Sequence, residues 1–322
     1  MNSLDIFRDI EPQLQAVEQE LLNSITTDVP VLKEASVHLV KAGGKRLRPA
    51  FVLLSGSFYC STLDSLIPLA VALELVHVAT LVHDDVIDNS LTRRGQETVK
   101  ARWGNRISLY SGNYILARSL CLIATYDRAD IIDILATVSM KVCEGEIIQM
   151  LTCYDVGQSY KDYLRRIERK TALLMALSCQ SGALVGGAPA DKVRALKRFG
   201  YYLGMAFQIT DDVLDFVASE EVLGKPVGSD IRQGIITLPA LYALRESEEK
   251  EVLASILSSP EKCVHEAEKA ISIVLSSGGI DFALEVAKSY AEKARSLLRS
   301  LPEACAKSVL DKIAEFVVTR DF

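Results

Sequence analysis

The sequence predicts an all-α fold, a single-domain helical bundle over residues 1–322. Three observations predict it. Apolar residues recur three and four apart along almost the whole chain, no segment alternates as a half-buried strand does, and the breaks are short and glycine- or proline-bearing. Helical spacing runs first through LDIFRDIEPQLQAVEQELLNSI (4–25) and then VLKEASVHLVKAG (31–43), which ends at Gly43-Gly44. The window from Leu66 to Val82 is apolar apart from residues such as Pro68, Glu74 and His77, and it runs straight into Asp84-Asp85. It fails as a membrane span and suits a helix buried on nearly all sides. DIIDILATVSMKVCEGEIIQML (130–151) and YKDYLRRIERKTALLMALSCQSGALVGG (160–187) follow, the second closed by Gly186-Gly187 with Pro189 beyond. A break from Gly224 to Gly234 and the pair Gly278-Gly279 precede the last run, IDFALEVAKSYAEKARSLL (280–298).

Composition excludes several functions. Of the 322 residues 49% are hydrophobic and 24% charged, which is the make-up of a globular protein and not of a disordered, collagenous or disulfide-stapled one. The balance of 36 Lys+Arg against 42 Asp+Glu leaves a net charge of −6, so no basic field invites nucleic acid. Seven cysteines (Cys60, Cys121, Cys143, Cys153, Cys179, Cys263, Cys305) are odd in number and widely spaced, and read as small buried apolar residues in a reducing cytosol. The opening MNSLDIFRDIE has acids where a secretion signal has basic residues. Together these point to a cytoplasmic protein.

Two segments repeat a pattern. LVHDDVIDNS and QITDDVLDFV each place Asp-Asp-x-x-Asp after an apolar run, giving Asp84, Asp85, Asp88 and Asp211, Asp212, Asp215. On a helix, residues four apart share a face, so Asp84 with Asp88 and Asp211 with Asp215 form two-carboxylate edges that repel unless cations sit nearby. A lone cluster of this kind is as readily a solvated helix end. Two copies, each flanked by basic residues at matching distances, favour hard divalent cations, and Mg²⁺ takes one or two carboxylates plus substrate phosphates. Neither copy has the glycine and terminal glutamate of a calcium loop.

The basic residues suggest what lies between. Gly43-Gly44-Lys45-Arg46-Leu47-Arg48-Pro49 combines a permissive turn, three cations and a proline suited to a helix's first turn, a combination that receives anions. Arg93-Arg94-Gly95 follows the first acidic cluster closely, and cations beside metals make sense around a shared anion such as a diphosphate. Lys170-Thr171, Gln208 and Lys225 extend the set, although each alone reads as a surface residue. His77 falls near the Asp84 face and could donate to a bound anion, whereas His83 points elsewhere and reads as a core histidine.

In order, GGKRLRP, ALELVHVATLVHDDVIDNSLTRRG, GNY, RKTALL, FQITDDVLDF and GKPVGSD resemble the motifs of the trans-polyprenyl diphosphate synthases, over residues 43 to 230. WGNRISLYSGNYILARSL, RRIERKTALLMALSCQSGALVGGAP and the ending RDF are most similar to the large, catalytic component of the heptaprenyl branch. The resemblance implies the isoprenoid synthase fold, a bundle around a deep central cavity with both clusters facing across Mg²⁺, three ions in all. It implies condensation of an allylic diphosphate, farnesyl diphosphate for example, with successive isopentenyl diphosphate units into a long all-trans chain for a quinone side chain such as that of menaquinone. Asp84, Asp88 and Asp211 then match metal ligands, and Asp85, Asp212 and Asp215 supporting acids, with Lys170 beside them in catalysis. Lys45, Arg48, His77 and Arg94 match the isopentenyl diphosphate site; Arg93, Lys170, Thr171, Gln208 and Lys225 match the allylic one. Where short-chain members often have a second lysine after GKP, this chain reads Gln233-Gly234-Ile235-Ile236.

Ala79 and Thr80, small residues five and four before Asp84, should leave space beneath the reacting carbon, so that a growing tail gains ~0.8 kcal/mol per buried methylene and stays for further cycles. The resemblance further implies either a small regulatory subunit or a homodimer as partner, with membrane contact only transient, for product release. A homodimeric hexaprenyl or octaprenyl synthase, a terpene cyclase and a non-catalytic subunit are the competing readings. Two complete acidic clusters oppose the non-catalytic reading, and two anion-binding segments oppose the cyclase.

Overall fold

The computed structural model describes residues 7–60, 62–93, 95–218 and 227–319, and its chain contacts resolve into two units. The first comprises Met1–Ala136, Leu177–Lys197 and Ser300–Leu310, and the second Thr137–Ala176, Arg198–Arg299 and Asp311–Phe322.

In the first unit, helices α1 (Glu11–Asn23), α2 (Pro30–Lys41), α3 (Leu47–Gly56), α4 (Ile67–Ile87) and α5 (Val99–Ala124) follow one another. Helix α4 is its core: it packs on α1, α3 and α5, and every residue from Leu69 to Val76 is buried. Together with the turn before it, Asp64–Ile87 is long and apolar enough to cross a membrane, which corrects the reading from sequence. Pro68 sits harmlessly in the first turn, and Glu74 is neutralised inside the protein, so neither interrupts the helix. Burial of 67% of its most apolar stretch accounts for that apolarity within the fold.

Helix α8 (Leu173–Val185) crosses α3 at backbone distance. A Cβ on Gly182 would lie 2.3 Å from the Val52 carbonyl oxygen, so only glycine permits this crossing. Between α4 and α5, Thr92–Arg93 (β1) pairs antiparallel with Gln96–Glu97 (β2), Thr92 opposite Glu97 and Arg93 opposite Gln96. The sequence showed no strand because two-residue strands are too short to alternate. Thr98 then caps α5, its hydroxyl accepting from the Ala101 N–H at 3.1 Å.

The second unit holds most of α6 (Ala129–Leu151), then α7 (Tyr160–Ile167), started by a reciprocal Ser159–Asp162 capping box. Residues Glu168–Ala172 form a π turn that leads into α8. Most of α9 (Ala190–Val217) belongs here, followed by α10 (Ser229–Arg232), α11 (Leu238–Glu246), α12 (Lys250–Leu257), α13 (Pro260–His265), α14 (Ala267–Ser276) and α15 (Gly279–Leu298), with α16 (Cys305–Thr319) at the end of the chain. Met205, Ile209, Val213 and Phe216 carry the apolar face of α9 into a core shared with Tyr163 and Ile236.

Candidate active site

The first acidic cluster forms where α4 leaves its buried surroundings. Asp88 caps the helix, its N–H donating to the Asp84 carbonyl at 2.8 Å, and Asn89 turns the chain away through a left-handed conformation (φ 54°). Asp84 is half-buried and Asp88 exposed, whereas Asp85 is only 3% exposed. Arg93, on β1, donates from Nε to Asp85 Oδ1 at 2.6 Å. Burial pushes the Asp85 carboxyl up and Arg93 opposes this. Arg93 is thus tied to an acid of its own cluster; Arg94 lies outside the described residues.

Around the turn before α3 the three expected cations separate. Lys45 is exposed and Arg48 half-buried, but Arg46 is turned inward. It holds a left-handed conformation (φ 47°) and pairs with Glu18, with Glu74 at 2.9 Å, and with the Val40 carbonyl at 3.0 Å. Glu74 would otherwise be a buried unpaired carboxylate, so Arg46 is internal neutralisation and not part of an anion site. His77 is half-buried on α4, and the Thr80 hydroxyl donates to its carbonyl at 2.8 Å. Ala79 is 2% exposed and Thr80 half-buried. His83 packs against α5 at Gly112, where an added Cβ would sit 2.6 Å from Nε2.

The second cluster divides in the same way. Asp211 is exposed, while Asp212 and Asp215 are 5% and 1% exposed. Both oxygens of Asp212 accept hydrogen bonds, from the Tyr163 hydroxyl at 2.7 Å and from Gln208 Nε2 at 2.8 Å. Burial, with Asp230 adding like charge, pushes the Asp212 carboxyl up to about 7 against these donors. Asp215 accepts from Ser229 Oγ and the Asp230 N–H, both at 3.0 Å, and so anchors the start of α10. Lys225 lies outside the described residues.

Lys170 and Thr171 sit on the π turn. Such turns widen a helix by one residue and re-aim its side chains. Lys170 donates to Gln149 Oε1 at 3.2 Å and lies 3.6 Å from Glu146, and Thr171 donates to Gln208 Oε1 at 2.6 Å. The structure thus joins Thr171, Gln208 and Asp212 in one chain of hydrogen bonds. Tyr163, Arg166, Glu146 and Gln149 support this region and were missed by the motif reading. Arg166 looks like surface charge in RRIERK, yet it is buried and donates to Gln158 and to the Ile236 carbonyl at 2.6 Å. The spacing of Tyr163, Arg166 and Lys170 at three and four was the available signal.

Among the described residues no three His, Cys, Asp or Glu side chains form a ready-made cation cage. The donor set nevertheless fits Mg²⁺, which is held by one or two carboxylates and completes its shell with water and substrate phosphate. Solvent-reaching carboxylates with Lys and Arg close in sequence can bind a metal–diphosphate and stabilise charge as it leaves.

A family model described as polyprenyl synthetase matches residues 29–274. Heptaprenyl diphosphate synthase component 2 of Geobacillus stearothermophilus is 46% identical, covering 97% of each chain. Two solved structures superpose with a TM-score of 0.90 each. Heptaprenyl diphosphate synthase from Staphylococcus aureus is 38% identical and covers 97% of this chain and 99% of its own. Polyprenyl synthase from Caulobacter crescentus, solved with calcium and isoprenyl diphosphate, is 34% identical and covers 99% and 98%.

Proposed function

The chain belongs to the polyprenyl synthetase family and is a long-chain trans-prenyltransferase, and from that premise we propose how its residues carry the reaction. The observation that carries the proposal is the sorting of the six aspartates. Asp84, Asp88 and Asp211 reach solvent, whereas Asp85, Asp212 and Asp215 are buried. The first three would hold Mg²⁺, and three ions are our expectation; calcium with the Caulobacter relative supports a divalent cation. When bound, Mg²⁺ neutralises the diphosphate and lowers the cost of its departure.

Lys170, Thr171, Gln208, Arg93 and Lys225 bind the allylic diphosphate; Lys45, Arg48, Arg94 and His77 bind isopentenyl diphosphate. The allylic C–O bond breaks and diphosphate leaves with the electron pair. The isopentenyl double bond then attacks the allyl cation, forming the new C–C bond, and loss of a proton from the adjacent carbon restores a trans double bond. Apolar side chains of α4 exclude water from the cation. Thr80 leaves room for the tail, so elongation repeats towards a heptaprenyl diphosphate that serves a quinone pathway.

The chain acts as one catalytic domain in the cytoplasm. The relative's designation as component 2 supports a separate small subunit, and an exposed apolar stripe on α5 (Leu109, Tyr110, Leu120) supports pairing with a second copy. Product chromatography with the purified chain, Mg²⁺, labelled isopentenyl diphosphate and farnesyl diphosphate, with and without a small subunit, tests this. Long chains formed without the subunit would instead establish the homodimeric hexaprenyl or octaprenyl type.

A further inference from the structure

Tyr163 belongs to none of the sequence motifs, yet it is wholly buried and its hydroxyl is given to Asp212. The direction of the bonds beyond it matters. Asp212 Oδ1 accepts from the amide NH₂ of Gln208 at 2.8 Å, which fixes the amide with its nitrogen towards Asp212. The Gln208 carbonyl then faces Thr171, whose hydroxyl sends its proton inward at 2.6 Å. Fixed in this way, Gln208 keeps its second amide hydrogen outside the chain of bonds, where it can donate to an anion. Arg166 braces the other side of Tyr163, with its guanidinium carbon 5.5 Å from the ring centroid and Nη2 on the Ile236 carbonyl. A bare buried carboxylate could be satisfied by any donor; here both of its oxygens are directed.

We propose that Tyr163 is a positioning residue for the allylic diphosphate, acting through Asp212 to set which face of Gln208 the diphosphate meets. This rests on the assignment of Gln208 and Thr171 to that substrate. Tyr163 itself touches no substrate.

The test is Tyr163→Phe, which removes the hydroxyl and keeps the ring against Arg166. Calorimetric binding of unreactive farnesyl thiodiphosphate with Mg²⁺ should weaken about tenfold, the size of one lost charge-assisted hydrogen bond. In steady state the KM for the allylic substrate should rise in step, with that for isopentenyl diphosphate unchanged within about twofold. Thr171→Val added to Tyr163→Phe should cost little beyond the weaker single variant, since both break one chain. Unchanged binding, equal shifts of both KM values, or additivity would each overturn the proposal. Should Tyr163→Phe lose the fold, Asp212→Asn carries the same expectation, because it offers Gln208 a donor as well as an acceptor and frees the amide to flip. If the unmodified protein does not bind the thiodiphosphate, the site assignment falls and the proposal with it. If the unmodified protein binds and both variants bind equally well, only the positioning role falls.

Discussion

Asp84 and Asp85 are neighbours in sequence and differ in setting, so substitution should separate their roles. Asp84→Ala removes a solvent-reaching carboxylate; kcat/KM should fall by ~10²–10³ with a smaller loss of stability than a buried acid would show. Asp85→Ala strands Arg93 and should lose activity together with about 1–2 kcal/mol of stability, reduced because Arg93 is a third exposed. Paired kinetics and thermal unfolding check both, and equal stability losses would contradict the division. A similar contrast governs product length. Thr80 has accessible surface, so Thr80→Phe should shorten the main product with little loss of stability. Ala79 is 2% exposed, so Ala79→Phe should shorten it at a further cost of about 1–3 kcal/mol from overpacking. An unchanged product ladder from both variants would refute this account of chain length. The acids were legible in the sequence because their spacing is chemical. The inward turn of Arg46 was not, since it depends on Glu18 and Glu74, which lie 28 residues away on either side.

At the scale of elements, the π turn that carries Lys170 and Thr171 is held by close approaches on two sides. A Cβ on Gly204 of α9 would lie 2.6 Å from the Ala172 Cα, and one on Gly145 of α6 would lie 2.8 Å from the Arg169 Cβ. Gly204→Val should therefore force the turn outward, costing about 1–3 kcal/mol of stability and raising the KM for the allylic substrate more than that for isopentenyl diphosphate. Thermal unfolding and both KM values measure this, and a fully stable variant would contradict the packing. Helices such as α4 and α15 were legible because their periodicity is long, and Gly278 before α15 marked its start. The π turn was not legible, because one extra residue per turn leaves the spacing of RRIERKTALL within helical tolerance.

For the whole molecule, the sequence reading placed all seven cysteines inside, and the fold distributes them. Cys179 and Cys263 are buried, Cys60 and Cys153 half-buried, and Cys121, Cys143 and Cys305 exposed. Residue type alone cannot tell which face of a helix a cysteine takes when the outer face, as on α5, is itself apolar. Burial pushes the Cys179 thiol up to about 12 and raises that of Cys263. Thiol reagents near pH 8 should modify Cys121, Cys143 and Cys305 in the native protein, and Cys179 and Cys263 only after unfolding, as read by mass spectrometry. Native labelling of Cys179 would contradict the packing of α8 on α3. The all-α class and the ordered motifs were readable from sequence because both are local patterns, whereas the bonds joining Tyr163, Asp212, Gln208 and Thr171 span 49 and 37 residues and had to be seen. The most direct test of the central claim is the Mg²⁺-dependent product assay with labelled isopentenyl diphosphate and farnesyl diphosphate, run with and without a small subunit. The expected result is a heptaprenyl ladder that requires both Mg²⁺ and the subunit; the absence of any Mg²⁺-dependent elongation under either condition would contradict the account.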